Sequence, residues 1–120
     1  MYVDSYVLSV AEEKKDDYVR IANIFAEVAK DFGALEIFEN WELEVPDGEL
    51  TDFRKAVKAE PDEKIVLSWI VWPDREAGAK AHEGMMTDQR MAKVGKMPFD
   101  GKRMILGGFE PILTYRKPED

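Results

Sequence analysis

The stretch Lys64-Ile-Val-Leu-Ser-Trp-Ile-Val-Trp72 is apolar on both faces when read as a strand. Ile65, Leu67, Trp69 and Val71 point one way. Val66, Ile70 and Trp72 point the other, with Ser68 among them. A strand of this kind needs cover on both sides. A chain of 120 residues is too short to supply two covering layers of helix. A second copy of the chain is the expected cover for one face. Trp69, in mid-strand, is expected to fill a buried site whose loss is severely destabilising.

Working outward, residues 2–10 read as a strand, with Tyr2, Asp4, Tyr6, Leu8 and Val10 on its heavier face. Residues 11–32 read as an amphipathic helix, because Tyr18, Ile21, Phe25, Val28 and Phe32 recur at spacings of three and four. Gly33 stands where a C-terminal cap glycine belongs. Residues 34–45 read as a second strand, in which Phe38 and Glu39 exchange character and break the alternation. Pro46-Asp47-Gly48 marks a turn. An irregular connection with a short helix near residues 53–58 leads into the doubly apolar strand. Pro73 is expected to open a helix running to about Met86, and residues 87–96 to add a short one. Residues 102–115 read as the last strand, with a bulge or a close backbone approach at Gly107-Gly108. The order strand, helix, strand, strand, helix, strand is the ferredoxin-like split βαβ pattern of an α+β domain. It places helices on one face of a four-stranded antiparallel sheet. Two such sheets packed face to face make a dimeric α+β barrel. Residues 1–116 are expected to form this single domain and residues 117–120 a tail.

Composition narrows the function classes. Hydrophobic content of 45% and charged content of 35% suit a folded domain, and no apolar run reaches the ~20 residues of a membrane span. With no cysteine, disulfides and thiol chemistry are excluded. No basic or apolar leader precedes the first strand, so a cytoplasmic protein is expected. The net charge of −8 is uneven: residues 1–50 hold 4 Lys/Arg against 13 Asp/Glu, and residues 51–120 hold 13 against 12. An acidic surface disfavours nucleic-acid binding. Phosphate-loop, dinucleotide and nucleophile-elbow motifs are all missing, so no tightly bound cofactor is expected.

The segments Val45-Pro-Asp-Gly48, Thr51-Asp-Phe53, Ser68-Trp-Ile-Val71, Met97-Pro-Phe-Asp-Gly-Lys-Arg-Met104 and Gly107-Gly-Phe-Glu110 resemble the DUF1428 family. Tyr2-Val-Asp4 and Gly33-Ala-Leu-Glu36 are similar to it as well. The likeness spans nearly the whole chain, and the 97–110 block is its specific part. The family comprises small bacterial proteins of unknown function placed among the dimeric α+β barrels. The resemblance therefore implies fold and homodimer, and carries over no catalytic residue.

Candidate site residues come from breaks in the hydrophobic pattern. Glu39 falls on the apolar face of the second strand. There it is either a carboxylate with a raised pKa, fit for acid or base work, or part of a bulge or a structural pair with an arginine. Asp4 and Tyr6 share a strand face. They either line the space enclosed by a dimeric barrel, or Asp4 frays and Tyr6 packs in the core. Arg103, with Lys102 and Lys96 beside Phe99, can meet an anion or an oxyanion, or belong to a solvated turn. Trp41, Trp69 and Trp72 are core or interface residues, or an aromatic pocket. His82, the one histidine, reads as a rim residue, with a proton shuttle as the alternative. Lacking a second histidine or any cysteine, the chain is not expected to hold zinc.

The reading is a homodimer that takes a small, partly apolar ligand in the barrel space, through Tyr6, Trp41, Phe99 and Lys102. One alternative is a cofactor-independent oxygenase- or isomerase-like enzyme, with Glu39 or Asp4 as base and Arg103 at the oxyanion. The other is a structural or interaction module without a pocket.

Overall fold

The structure, a computed structural model, describes residues 1–119. The expected tail at 117–120 thus has its last residue outside the described residues. Four strands, β1 (Tyr2–Ala11), β2 (Glu36–Trp41), β3 (Glu63–Trp72) and β4 (Ile105–Phe109), form one sheet in the order β2-β3-β1-β4. All neighbours are antiparallel. Helices α1 (Lys15–Asp31) and α3 (Arg75–Thr87) pack on one face; α2 (Phe53–Ala56) is a single turn between β2 and β3. This is the ferredoxin-like α+β fold.

The register assigns every strand residue a side. Tyr2, Asp4, Tyr6 and Leu8 pair with Trp72, Ile70, Ser68 and Val66, and the last three pair in turn with Ile37, Glu39 and Trp41. This set faces the helices. Leu8, Val10 and Val66 pack with Tyr18 of α1, while Trp72 packs with Ala29 of α1 and Ala81 of α3. Val3, Val7, Leu67, Trp69, Val71 and Phe38 occupy the opposite face. One end of that face is closed by the β2–β3 connection, where Val57 and Ile65 are buried and Arg54 donates to the carbonyls of Glu60 and Glu63. The rest has no covering layer among the described residues. Phe38 stacks on Trp69 there, ring centroids 5.0 Å apart.

Local chemistry sets the element ends. Gly33 adopts φ +100° just past α1, which a residue with a Cβ rarely does. The helix after Pro73 starts at Arg75 rather than at the proline, because Asp74 accepts a hydrogen bond from the Ala77 amide at 2.8 Å and serves as its N-cap. Residues 89–93 form a 3-10 turn. β2 ends at Trp41, short of the expected residue 45. Beyond it, the Glu42 amide still donates to the Ile65 carbonyl at 2.8 Å, but the Ile65 amide donates to the Glu42 side chain at 2.8 Å rather than to the backbone. β4 is also shorter than expected. It starts only after the 3-10 turn Gly101–Arg103, and Pro111, which has no N–H, follows its end. No bulge forms at Gly107-Gly108, since the β1–β4 register runs unbroken. Instead the Tyr2 ring occupies the space where a Gly108 side chain would stand.

Trp69 departs from expectation: in the single chain it is only partly buried, its indole N–H donating to Glu36 at 3.1 Å. Trp72, on the helix-facing side, is the fully buried tryptophan.

Candidate functional site

A polar row crosses the middle of the apolar, helix-facing surface. Tyr6 on β1 stands opposite Ser68 on β3, and Ser68 opposite Glu39 on β2. Direct cross-strand partners have Cβ atoms roughly 4.5–5.5 Å apart, so the three groups form a line. The rows to either side are mainly hydrophobic: Leu8, Val66 and Trp41 on one, Asp4, Ile70 and Ile37 on the other. Over this row, α1 and α3 leave a cleft of about 250 Å³. Its walls are apolar, with Phe25, Ile70, Met85, Met97, Phe99 and Met104 among them. Tyr6, Tyr18, Glu39, Ser68 and His82 are its polar groups.

Of the alternatives for Glu39, the bulge at Phe38-Glu39 does not form. The β2–β3 register is continuous, so Glu39 stays on the helix side while Phe38 turns to the other. The Tyr18 hydroxyl donates to Glu39 Oε1 at 2.6 Å. Burial pushes the Glu39 carboxyl above its ordinary pKa, and the Tyr18 hydrogen bond works against that rise. Tyr18 and Tyr6 both stay protonated. Burial first, then the charge of Glu39, pushes the Tyr18 hydroxyl far up. Burial first, then the charges of Asp4, Tyr2 and Glu39, pushes Tyr6 up to about 12. Phe99 meets Tyr18 edge-on, centroids 6.2 Å apart.

Asp4 does not fray. It is buried, and its Oδ2 accepts from the Trp72 indole at 2.9 Å and meets His82 Nε2 at 2.7 Å. His82 lies at the cleft rim with about half of its side chain exposed. Sequence reasoning did not connect these two residues. A signal was available: a carboxylate on an otherwise apolar strand face needs a partner, and His82 comes one turn after Gly78 and next to Ala81, the buried residues of α3.

The other candidates lie elsewhere. Asp4 and Tyr6 both face the helices and not the open sheet face: Tyr6 lines the cleft, and Asp4 is buried beside it under Trp72 and His82. Trp41 lines an open groove between α1 and β2, under the Lys15 ammonium at 5.2 Å. Tyr18, Ala22 and Glu39 border both this groove and the cleft. Arg103 is not near Glu39. It grips Glu63 with two bonds of 2.7 and 2.9 Å, donates to the Lys58 carbonyl at 2.9 Å and pairs with Asp100. Each of its three nitrogens has a partner, chiefly on the β2–β3 connection, and this placement away from Glu39 removes it as an oxyanion group for the cleft. Lys102 is exposed and outside the cleft lining. Among the described residues no cluster of three or more His, Cys, Asp or Glu side chains is placed to hold a metal ion.

The profile of the family described as "Protein of unknown function (DUF1428)" matches residues 1–101. The chain belongs to the DUF1428 family. Its DUF1428 relatives include the Escherichia coli K12 protein described as "Uncharacterized protein YbaA", 53% identical over 113 residues that cover 93% of this chain and 97% of that one. A Shigella flexneri protein of the same description matches over the same shares with the same identity. Among solved structures, an uncharacterized NIPSNAP domain protein from Burkholderia xenovorans superimposes with a TM-score of 0.51 at 10% identity. The match covers 98% of the DUF1428 chain and 100% of the other, and at that identity it shows a shared fold alone. No helix of the described DUF1428 residues is long and apolar enough to cross a membrane.

Proposed function

We propose that this protein is a homodimer that binds a small, partly apolar molecule in the cleft of each subunit. The polar row Tyr6–Ser68–Glu39 beneath the apolar cleft carries the reading. A pocket with hydrophobic walls and a few convergent polar groups is the usual form of a small-molecule site. At about 250 Å³ the cleft falls below the ~300–1,000 Å³ of drug-sized sites, so its occupant is a single small ring or a short chain. Screening one-ring carbonyl, phenol and carboxylate compounds by thermal shift tests this. The native protein should gain melting temperature with at least one class. Ala22→Phe, which fills the cleft, should not. A native protein indifferent to every class would remove the binding reading.

The second copy is proposed to cover the open sheet face. Val3, Ser5, Val7, Leu67, Trp69 and Val71 carry no charge, and the charge of Glu36 beside them is met by Arg116 at 2.6 Å, whereas the chain as a whole carries −8. Two copies therefore meet without repulsion at this face and repel over most others. Phe38, Ile105 and Phe109 extend the apolar patch and are exposed in the single chain. Sedimentation should give twice the 13.8 kDa chain mass, and Trp69→Glu should return it to one. A native monomer at micromolar concentration would contradict the dimer. A cytoplasmic location is part of the same proposal, supported by a composition that uses no cysteine.

A further inference from the structure

We propose that the cleft is a proton-transfer site for a small enolisable ketone, with Glu39 as the base and Tyr6 as the hydrogen-bond donor to the carbonyl oxygen. This rests on the reading that the cleft binds a small molecule. The polar row supplies the geometry. Glu39 and Tyr6 stand two inter-strand steps apart, roughly 9–10 Å between backbones. Their side chains rise side by side from the sheet into the cleft, so both can reach a small molecule lying above Ser68. Tyr18 occupies Glu39 Oε1 at 2.6 Å, which orients the carboxylate and leaves its second oxygen for a substrate proton. The opposite end of the row has hydroxyls, the right groups for an oxygen that gains charge. The surrounding apolar walls strengthen both contacts by excluding water.

For a β,γ-unsaturated ketone the step balances without an oxidant or a reductant. The Glu39 carboxylate takes the proton from the carbon between the carbonyl and the double bond. The C–H electron pair becomes the enolate double bond, and the carbonyl π pair moves onto oxygen, where the Tyr6 O–H is donated. Collapse of the dienolate returns the same proton from Glu39 to the γ carbon. The product is the conjugated ketone, an isomer of the substrate. Arg103 takes no part, because Glu63 holds it elsewhere.

Cyclohex-3-en-1-one is a suitable probe, since its conjugation is followed by ultraviolet absorbance and its binding by saturation-transfer NMR. A positioned base contributes about 10²–10⁴-fold, and an acceleration in that range is expected from the native protein. Glu39→Gln, which keeps size and fold, should lose at least a hundredfold in kcat while still binding the probe. Tyr6→Phe should lose tenfold or more in kcat with little change in KM. Lys102→Ala should match the native protein. If Glu39→Gln keeps its rate, the base is misassigned and the proposal fails. A probe that binds in the cleft but is not isomerised overturns the proton-transfer role and leaves the binding reading standing. If the probe neither binds nor reacts, and the thermal-shift screen is also silent, both fail together.

Discussion

Replacing Arg103 with methionine is expected to destabilise the protein by about 3 kcal/mol, the lower end of the range for stranding one member of a buried ion pair. Glu63 is the partner that is stranded. It is buried, and Arg103 meets both of its carboxylate oxygens. The Arg103 hydrogen bonds, offset by burial, pull the Glu63 pKa from 4.5 down to about 2. A group whose pKa is lowered by folding stabilises the native state fully above its unfolded pKa. That contribution drains away as pH falls from 4.5 toward 2. The loss is on the order of 2–3 kcal/mol. Urea titrations at pH 7 and pH 3 check both statements. Glu63→Gln should flatten the acid dependence, and Arg103→Met should be weak already at pH 7. An Arg103→Met protein within about 0.5 kcal/mol of native would mean that the pair is an ordinary surface contact.

Trp72→Ala is expected to cost about 3–5 kcal/mol, because it empties a fully buried aromatic site between sheet and helices. It also takes the indole donor from Asp4, leaving His82 as the remaining side-chain partner of that buried carboxylate. Trp72→Phe separates the two effects, since it restores most of the volume and none of the hydrogen bond. Chemical denaturation should place Trp72→Phe between native and Trp72→Ala. The corresponding change at Trp69 should act on association and not on the core of the chain. A Trp72→Ala loss under about 1 kcal/mol would mean that the core does not lie between β3 and the helices.

Much of the fold is legible in the sequence because period and punctuation are local signals. The two faces of β3, the stripe on α1 and the Gly33 cap all need only near neighbours. The last strand was overread because β propensity says nothing of how far its partner extends. Val3 pairs with Phe109, near the start of β1, and no ladder is left for residues beyond. The site was half legible for a similar reason. Glu39 and Asp4 stand out as carboxylates on apolar faces. Their partners do not, because Tyr18 is 21 residues from Glu39 and His82 is 78 from Asp4. Alternation alone also could not say which sheet face the helices take. On alternation alone Tyr6 and Asp4 can read as lining the barrel space, whereas both face the helices, Tyr6 in the cleft and Asp4 buried beside it. Arg103 looked available because its sequence neighbourhood is basic, and the carboxylate that claims it lies 40 residues away.

The three tryptophans report the three compartments separately. Trp72 lines the cleft and bonds Asp4, Trp41 lines the outer groove, and Trp69 lies on the open sheet face bonded to Glu36. Their indole N–H signals in a nitrogen-15 NMR spectrum therefore locate a bound molecule directly. Titration with cyclohex-3-en-1-one, or with whichever one-ring compound gives the largest thermal shift, should move the Trp72 signal and leave Trp69 in place. Movement of Trp69 alone would put the ligand between the sheets, and no movement at saturating concentration would leave the cleft without an occupant; either result contradicts small-molecule binding between the sheet and the helices.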